Sequence, residues 1–281
     1  MRIIQLQTKV SRDKWENLYS LRTQMKAAIT KAVSSDGIRP DLITVGEMFA
    51  CPYETACFPA YAEEEGGPAW RFLSELAAEC EVCLSAGSVP EIAEGHIYNT
   101  AYVFDRDGRQ LARHRKMHLF DIDVKGGQHF RESDTLTAGR EVTVFDTDFG
   151  RVGLCICFDC RFPELIRLMV LEGARLILVP AAFNTTTGPA HWEVMFRSRA
   201  VDNQCFMVGT SVARDETASY HAWGHSLTVS PWGTILSEMD ASEAAAVIDI
   251  DLSETDRIRG ELPLLSARRE DVYQLRMSHE K

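Results

Sequence analysis

The chain has 281 residues, 45% hydrophobic and 25% charged, so it can bury a large core in one or two domains. Its net charge of −11 and pI near 5.2 argue against nucleic acid and anionic membranes as partners. Eight cysteines are too few for a disulfide scaffold, and the start lacks the long apolar core of a signal peptide. We therefore expect free thiols in the cytoplasm.

The first half of the chain alternates predicted strands and helices. Ile3–Gln7 is a short apolar run typical of a buried strand. Ser11–Val33 carries apolar residues at helical spacing, and Ser11 is its predicted N-cap. The next predicted elements are one strand, one helix and three strands: Asp41–Val45, Trp70–Glu79, Val82–Val89, Ile97–Phe104 and Gln110–His114.

The second half repeats this alternation after a long charged loop, Asp121–Gly139, whose length is typical of lids and binding loops. The predicted strands are Val142–Asp146, Val152–Ile156, Arg175–Pro180, Cys205–Val212, Ser226–Ser230, Thr234–Ser237 and Ala244–Ile250. The predicted helices are 161–172, Pro189–Asn203 and Ser253–Arg259. No linker divides the chain, so we predict one α/β domain over residues 1–281, with a tail from about residue 262. Two mixed sheets should pack face to face, with helices on both outer faces.

A cysteine lies where one of these strands meets a helix. Val152–Ile156 is apolar and β-branched, and Pro163 suits the first helical turn, where its missing N–H costs nothing. Cys157 therefore occupies a corner where free N–H groups and the helix dipole lower the pKa of a thiol. This position favours a nucleophile. The alternative is a buried cysteine that serves packing alone.

Two further charged side chains follow predicted strands. Glu47 comes just after an apolar strand, which is a costly place for a carboxylate unless it has a function or lies at the open mouth of the sheet. Lys116 belongs to the basic segment 114–118, which is either a solvated face or, as the apolar pair after it indicates, an arm that passes inward. Together with Cys157 these residues suit acyl transfer: the carboxylate acts as base, the ammonium stabilises the oxyanion and the thiol attacks.

Three segments resemble the signature segments of the nitrilase superfamily of carbon–nitrogen hydrolases, in the same order and at similar separations. They are Val45–Phe49, Arg115–Leu119 and Cys157–Glu164. The resemblance implies an α/β fold, a four-layer α-β-β-α sandwich that forms homodimers. It also implies that Glu47, Lys116 and Cys157 are catalytic, and that Glu132 is a second glutamate that positions the lysine and the water.

Within the superfamily the sequence most resembles the ω-amidases. The segments that carry this resemblance are Lys116–Asp123, Ala182–Glu193, Arg197–Gln204 and Ala222–Ser226. It implies hydrolysis of the terminal amide of short dicarboxylate monoamides, such as 2-oxoglutaramate or 2-oxosuccinamate. The products are the dicarboxylate and ammonia, formed through a cysteine thioester without metal or cofactor. Another amidase of the superfamily, acting on deaminated glutathione or N-carbamoyl amides, is the alternative.

The substrate of such an enzyme has a free carboxylate, which needs a cation or several donors if it is buried. Arg161 is the candidate cation, because its planar fork can bind a carboxylate at two points. Its alternative role is an ion pair with a nearby acid. The backbone N–H of Phe158 is expected to join Lys116 at the oxyanion. The other predicted lining residues are His118, Phe183, Asn184 and Thr187.

Other classes of protein fit parts of the sequence. Cysteines at 80 and 83, and at 155, 157 and 160, have spacings found in metal or redox sites, yet each cluster lacks the second ligand pair of a structural zinc. A catalytically dead scaffold is disfavoured because all four reactive positions hold competent residues. A serine hydrolase is disfavoured because no Gly-x-Ser-x-Gly elbow occurs. We also expect an isologous homodimer built on helices 161–172 and 189–204, from the charge-balanced run Arg197–Asp202.

Overall fold

The structure is a computed structural model that describes residues 1–125 and 129–278. Residues 126–128 of the predicted loop and the last three residues of the predicted tail lie outside the described residues. The strands are β1 (Arg2–Gln7), β2 (Leu42–Val45), β3 (Cys83–Ala93), β4 (His96–Phe104), β5 (Gln110–Arg115), β6 (Asp121–Asp123), β7 (His129–Arg131), β8 (Thr143–Thr147), β9 (Gly150–Leu154), β10 (Leu176–Ala181), β11 (Phe206–Ser211), β12 (Leu227–Val229), β13 (Ile235–Glu238) and β14 (Ala244–Asp249). The α-helices are α1 (Lys14–Asp36), α2 (Phe58–Tyr61), α3 (Pro68–Cys80), α4 (Pro163–Leu171), α5 (Gly188–Asn203) and α6 (Ser253–Glu261).

Two six-stranded sheets have matching topologies. Their strand orders are β14-β1-β2-β3-β4-β5 and β13-β12-β11-β10-β9-β8. In each sheet the three central strands that follow one another along the chain are parallel, and the flanking pairs are antiparallel. Parallel strands deliver the residues after their carboxyl ends to one edge of a sheet. The segment after β2 in the first sheet, and those after β9 and β10 in the second, therefore lie at the carboxyl ends of the parallel strands.

The sheets pack against each other through β2 and β3 on one side and β10 and β11 on the other. Helices α1 and α3 cover the outer face of the first sheet, and α4 and α5 cover that of the second. Each helix buries one apolar face, such as Leu73, Leu76 and Ala77 of α3. The predicted sandwich of two sheets between layers of helices is thus confirmed.

The start of α1 differs from the prediction. The helix begins at Lys14, and the Asp13 carboxylate accepts hydrogen bonds from the N–H groups of Trp15 and Glu16. The expectation that Ser11 caps the helix is wrong. Two residues earlier, the hydroxyl of Ser11 accepts instead from the N–H of Asp13 at 3.1 Å, ahead of the first helical turn.

Buried polar side chains fix how the two sheets lie on each other. The amide nitrogen of Gln5 in β1 donates to the hydroxyl of Thr210 in β11 at 3.1 Å, and its oxygen accepts from Thr228 in β12 at 2.9 Å. Thr44 in β2 and Thr210 share a hydrogen bond of 2.6 Å. Because an unmade bond between buried polar groups is costly, this seam disfavours any sliding that would separate the strand ends carrying the functional side chains.

Candidate active site

The Cys157 corner is a strained turn. After β9 the chain stays extended through Ile156, and Cys157 opens a 3-10 turn, Cys157–Arg161, with φ of +45°. Such a left-handed conformation costs a non-glycine residue about 1–3 kcal/mol and persists only where the surroundings enforce it. Arg199 of α5 contributes, because its guanidinium donates to the carbonyl oxygens of Cys160 at 3.0 Å and Arg161 at 2.8 Å.

Glu47 is placed by an equally tight turn after β2. Its N–H donates to the carbonyl of Ala181 at 3.2 Å, which joins the end of β2 to the end of β10 in the other sheet. The preceding residue has to be glycine, because a Cβ at Gly46 would lie 2.6 Å from the backbone nitrogen of Val212. The two sheets approach so closely here that residues from both reach one site.

Three fully buried charged groups meet at this edge. Lys116 Nζ, directly after β5, donates to Glu47 Oε1 at 2.8 Å and to Glu132 Oε1 at 2.9 Å. All three side chains are 0% exposed. The basic segment is therefore an arm that passes inward, and the alternative of a solvated face does not hold. The structure brings Glu132 to the site from the 3-10 turn that follows β7.

Two residues that sequence reasoning missed complete the cluster. The Tyr53 hydroxyl lies 2.6 Å from Glu132 Oε1 and 3.0 Å from Glu47 Oε1. Asn99 Nδ2 in β4 donates to Glu47 Oε1 at 2.8 Å. Glu47 Oε1 therefore faces three donor groups, whereas Oε2 is buried with no hydrogen-bond partner among the described residues. The carboxylate is oriented so that one oxygen remains free to accept a proton.

The electrostatics of the thiol differ from the prediction. Burial raises the pKa of Cys157 well above its ordinary value, and the charge of Glu47 raises it further. Lys116 and a backbone hydrogen bond from Ala182 act in the opposite direction and do not compensate. The expectation that the corner lowers the thiol pKa is wrong, because desolvation outweighs the dipole. The resting thiol is protonated and needs a base.

The lysine keeps its charge despite complete burial. Desolvation alone would lower the pKa of Lys116, but the carboxylates of Glu132 and Glu47 raise it above its ordinary value. The pKa of Glu132 is raised, first by burial and then by repulsion from Glu47, while Lys116 opposes the shift. The ammonium is thus a fixed positive charge beside the Cys157 thiol.

Arg161, the predicted carboxylate anchor, lies on the same 3-10 turn as Cys157, the predicted nucleophile. The Arg161 guanidinium stacks 4.6 Å from the ring centre of Phe183 and 5.5 Å from that of Phe158. Its Nη atoms contact Thr187 Oγ1 at 3.2 Å and His191 Nδ1 at 3.0 Å. Among the described residues it has no acidic partner, and its buried Nε has no acceptor. The alternative role of Arg161, an ion pair with a nearby acid, is therefore not found among the residues that the structure describes.

Of the remaining predicted lining residues, Asn184 contacts Thr187, which binds that guanidinium, and His118 contacts Phe162, the residue after Arg161. The side-chain oxygen of Asn184 accepts from the N–H of Thr187 at 2.8 Å and from its hydroxyl at 3.0 Å. His118 is half-buried and stacks on Phe162 at 3.6 Å. Two aromatic rings pack together next to Glu47: the ring of Tyr220 lies 4.5 Å from that of Tyr53, whose hydroxyl contacts Glu47. A cavity of about 310 Å³ opens beside Glu47, Tyr53 and Tyr220.

The family model described as carbon-nitrogen hydrolase matches residues 1–260. The chain belongs to the carbon–nitrogen hydrolase family. The resemblance carried by the three sequence segments is thereby confirmed.

Similar members of the family span the whole length of this carbon–nitrogen hydrolase. It is 44% identical to Omega-amidase NIT2 of Bos taurus over 274 residues, 98% of this chain and 97% of the relative. It is 44% identical to Omega-amidase NIT2 of Homo sapiens over 276 residues, 98% of each chain. The crystal structure of Saccharomyces cerevisiae Nit3, of the nitrilase superfamily, has a TM-score of 0.86 and 35% identity, with 96% of each chain covered.

The cysteines, the candidate metal ligands and the helices of this hydrolase bear on the other protein classes. All eight cysteines are free thiols. Within residues 1–125 and 129–278, no group of three or more His, Cys, Asp or Glu side chains is arranged to hold a metal ion. No helix in the described ranges combines the length and apolar character needed to cross a membrane.

Proposed function

We propose that this carbon–nitrogen hydrolase is an ω-amidase that cleaves the terminal amide of short dicarboxylate monoamides such as 2-oxoglutaramate. The observation that carries the proposal is the convergence of the Cys157 thiol, the Glu47 carboxylate with one free oxygen and the buried Lys116 ammonium. On the same turn as Cys157 lies the Arg161 guanidinium, which has no acidic partner among the described residues. Relatives named Omega-amidase, at 44% identity over nearly the full chain, support the same substrate class.

The first half-reaction follows from the proton inventory of the site. Because the Cys157 thiol is protonated at rest, Glu47 Oε2 takes its proton as the sulfur attacks the amide carbon. The carbonyl oxygen becomes an oxyanion, which the Lys116 ammonium and the backbone N–H of Phe158 stabilise; one such donor contributes about 10²–10³ in rate. Glu47 then gives the proton to the amide nitrogen, the C–N bond breaks and ammonia leaves. A thioester on Cys157 remains.

The second half-reaction reverses the proton path with water. Glu47 takes a proton from a water molecule, and the oxygen of that water attacks the thioester carbon. The same donors hold the new oxyanion, the C–S bond breaks, and the sulfur recovers its proton from Glu47. Glu132 keeps Lys116 in place throughout, because its Oε1 accepts a hydrogen bond from the ammonium at 2.9 Å.

Arg161 is proposed to bind the carboxylate at the far end of the substrate. Two aromatic rings and two polar side chains already hold the guanidinium in place, so little rotamer entropy remains to be lost when the substrate binds. Uncharged amides of equal length lack this contact and should be poor substrates.

The experiment is an ammonia-release assay on a panel of amides. The panel contains 2-oxoglutaramate, 2-oxosuccinamate, succinamate, neutral amides, deaminated glutathione and an N-carbamoyl amide. We expect the dicarboxylate monoamides to show the highest kcat/KM, Cys157→Ala to be inactive, and Cys155→Ala and Cys160→Ala to retain substantial activity. A clear preference for deaminated glutathione or the N-carbamoyl amide would contradict the proposal.

We further propose a homodimer formed through α4 and α5. Exposed Val194 and Val201 on α5, next to exposed Trp232, support an apolar contact there. Arg199, expected on this face from the sequence, is instead only 11% exposed and serves the cysteine corner. Sedimentation at micromolar concentration measures the oligomeric state, and a monomer would contradict the proposed homodimer.

We also propose a cytoplasmic location, supported by the free cysteines. Recovery of the protein in a membrane or secreted fraction would argue against this location.

A further inference from the structure

A single buried carboxylate joins the nucleophile segment to the lysine segment. Asp159 is 0% exposed and lies two residues after Cys157 on the 3-10 turn. One of its hydrogen bonds stays within the turn, because the N–H of Ile156 donates to Oδ2 at 3.0 Å. Its other donors among the described residues come from the arm, residues 114–118, that carries Lys116.

The donors of the arm lie on both sides of Lys116 in sequence. Before it, His114 Nε2 contacts Asp159 Oδ2 at 3.0 Å. After it, the N–H of Met117 lies 3.2 Å and the N–H of His118 2.8 Å from Oδ1, and His118 Nδ1 lies 2.8 Å from the same atom. The lysine is therefore held at its flanks by a residue of the turn that carries the nucleophile.

The chemistry of these contacts fixes the state of Asp159. Backbone N–H groups can only donate, so both oxygens act as acceptors and the side chain is a carboxylate. Burial alone would raise the pKa of Asp159, but hydrogen bonds from His114 and His118 hold it well below its usual value. Because Asp159 Oδ2 accepts, the His114 ring donates to it through Nε2, and His114 Nδ1 lies 2.9 Å from the Thr143 hydroxyl.

The position of Asp159 also bears on the strain at Cys157. Ile156, whose N–H it binds, directly precedes the left-handed residue. Removing this acceptor would free the backbone before the nucleophile to relax toward a less strained conformation. A displacement of about 1 Å at a reacting group can cost about 10² in rate.

Building on the amide hydrolysis proposed above, we propose that Asp159 is a positioning residue that sets the separation between the Cys157 sulfur and the Lys116 ammonium. His118 forms the outer link of this clamp, since its side chain is 29% exposed whereas those of His114 and Asp159 are 0% exposed. His118 therefore offers a variant that leaves the core intact.

The test compares two substitutions of His118. In His118→Asn the amide nitrogen takes about the place of Nδ1 and can still donate to Asp159, whereas the stack on Phe162 is lost. In His118→Phe the stack remains and the donor is lost. We expect kcat to be about tenfold lower in His118→Phe than in His118→Asn, at a similar KM, because the loss of a hydrogen bond to a charged group costs about that much. Equal kcat values for the two variants, or the reverse order, would overturn the proposal.

A second comparison addresses the carboxylate itself. Asp159→Asn should lower kcat about 100-fold, and Glu91→Gln serves as its matched control. Glu91 is an equally buried carboxylate bound to Arg115 and Thr100, and it contacts neither Cys157 nor Lys116. If kcat falls no further in Asp159→Asn than in Glu91→Gln, Asp159 is only a structural support.

A readout that needs no amide substrate separates this proposal from the proposed function. The rate of alkylation of Cys157 by iodoacetamide, followed by peptide mass spectrometry, reports the ionisation and accessibility of the thiol and does not depend on which amide is hydrolysed. We expect alkylation to slow in Asp159→Asn and to be unchanged in Glu91→Gln, whichever amide is the substrate. Equal alkylation rates in the two variants would count against the proposal even if the wild-type protein hydrolyses ω-amides.

Discussion

Replacing Arg161 with leucine tests the basis of substrate selection. Leucine keeps an apolar contact with the rings of Phe183 and Phe158 but removes the only cation that the structure places beside Cys157 on its own turn. The guanidinium has no acid to neutralise in the described part of the chain, so its removal leaves no buried carboxylate unpaired there. The change therefore probes the substrate contact more than the fold.

The size of the effect can be worked from the contacts. Hydrogen bonds to a charged group contribute about 1.5–3 kcal/mol, and each 1.4 kcal/mol is about a factor of ten. The kcat/KM for succinamate should fall about 10- to 100-fold in Arg161→Leu. For butyramide, which has no carboxylate, it should stay within about threefold of wild type on the same reasoning.

The assay measures ammonia release from both amides in parallel. Arg197→Leu is the matched control, because Arg197 contacts Glu193 and the carbonyl of Gly233 on the outer side of α5. It should leave both rates unchanged. If Arg161→Leu loses activity on both amides equally, Arg161 supports the cysteine corner instead. The carboxylate anchor would then lie elsewhere, with Lys125, His129 and Arg131 as the next candidates.

Three further changes test other parts of the account. Lys116→Met should lower kcat at least about 100-fold with little change in KM, and its effect should be strongly non-additive with Glu132→Gln, since both serve one transition state; simple additivity would count against this. Tyr53→Phe should lower kcat about tenfold, because a hydroxyl shared by two carboxylates is lost; an unchanged kcat would show that the hydroxyl is dispensable. Arg2→Met should lower the Tm by several degrees at pH 7. Because Arg2 lowers the pKa of Asp36 to about 2, that stabilisation is present above the ordinary value near 3.8 and is lost as the pH falls toward 2. The Tm difference should therefore close over this range, and a difference independent of pH would contradict it.

The order of elements could be predicted because apolar runs with periods of two and about 3.6 residues cover most of the chain. The predicted strand ends at Val45 and His114, which the structure has at Val45 and Arg115 and which place Glu47 and Lys116, follow from this periodicity. The hairpin of β6 and β7 was missed inside the predicted loop Asp121–Gly139, because three-residue strands carry no readable period. The single-turn helix α2 escaped prediction for the same reason.

The candidate site was predictable only as far as its residues follow strands or match a family segment. Tyr53 and Asn99 reach Glu47 from a loop 6 residues away and a strand 52 residues away, and nothing in their local sequence indicates that contact. The pKa direction of Cys157 was wrong for a related reason. A dipole can be inferred from local sequence, whereas complete burial beside a carboxylate depends on how two sheets pack.

The most direct test of the central claim is to trap the acyl group on the enzyme. A reaction with succinamate is quenched in acid within one turnover, and peptide fragmentation locates any added mass. The account predicts a hydroxylamine-sensitive acyl adduct on Cys157, and neither adduct nor ammonia release from Cys157→Ala. An adduct on Cys155 or Cys160, or hydrolysis by Cys157→Ala, would contradict it.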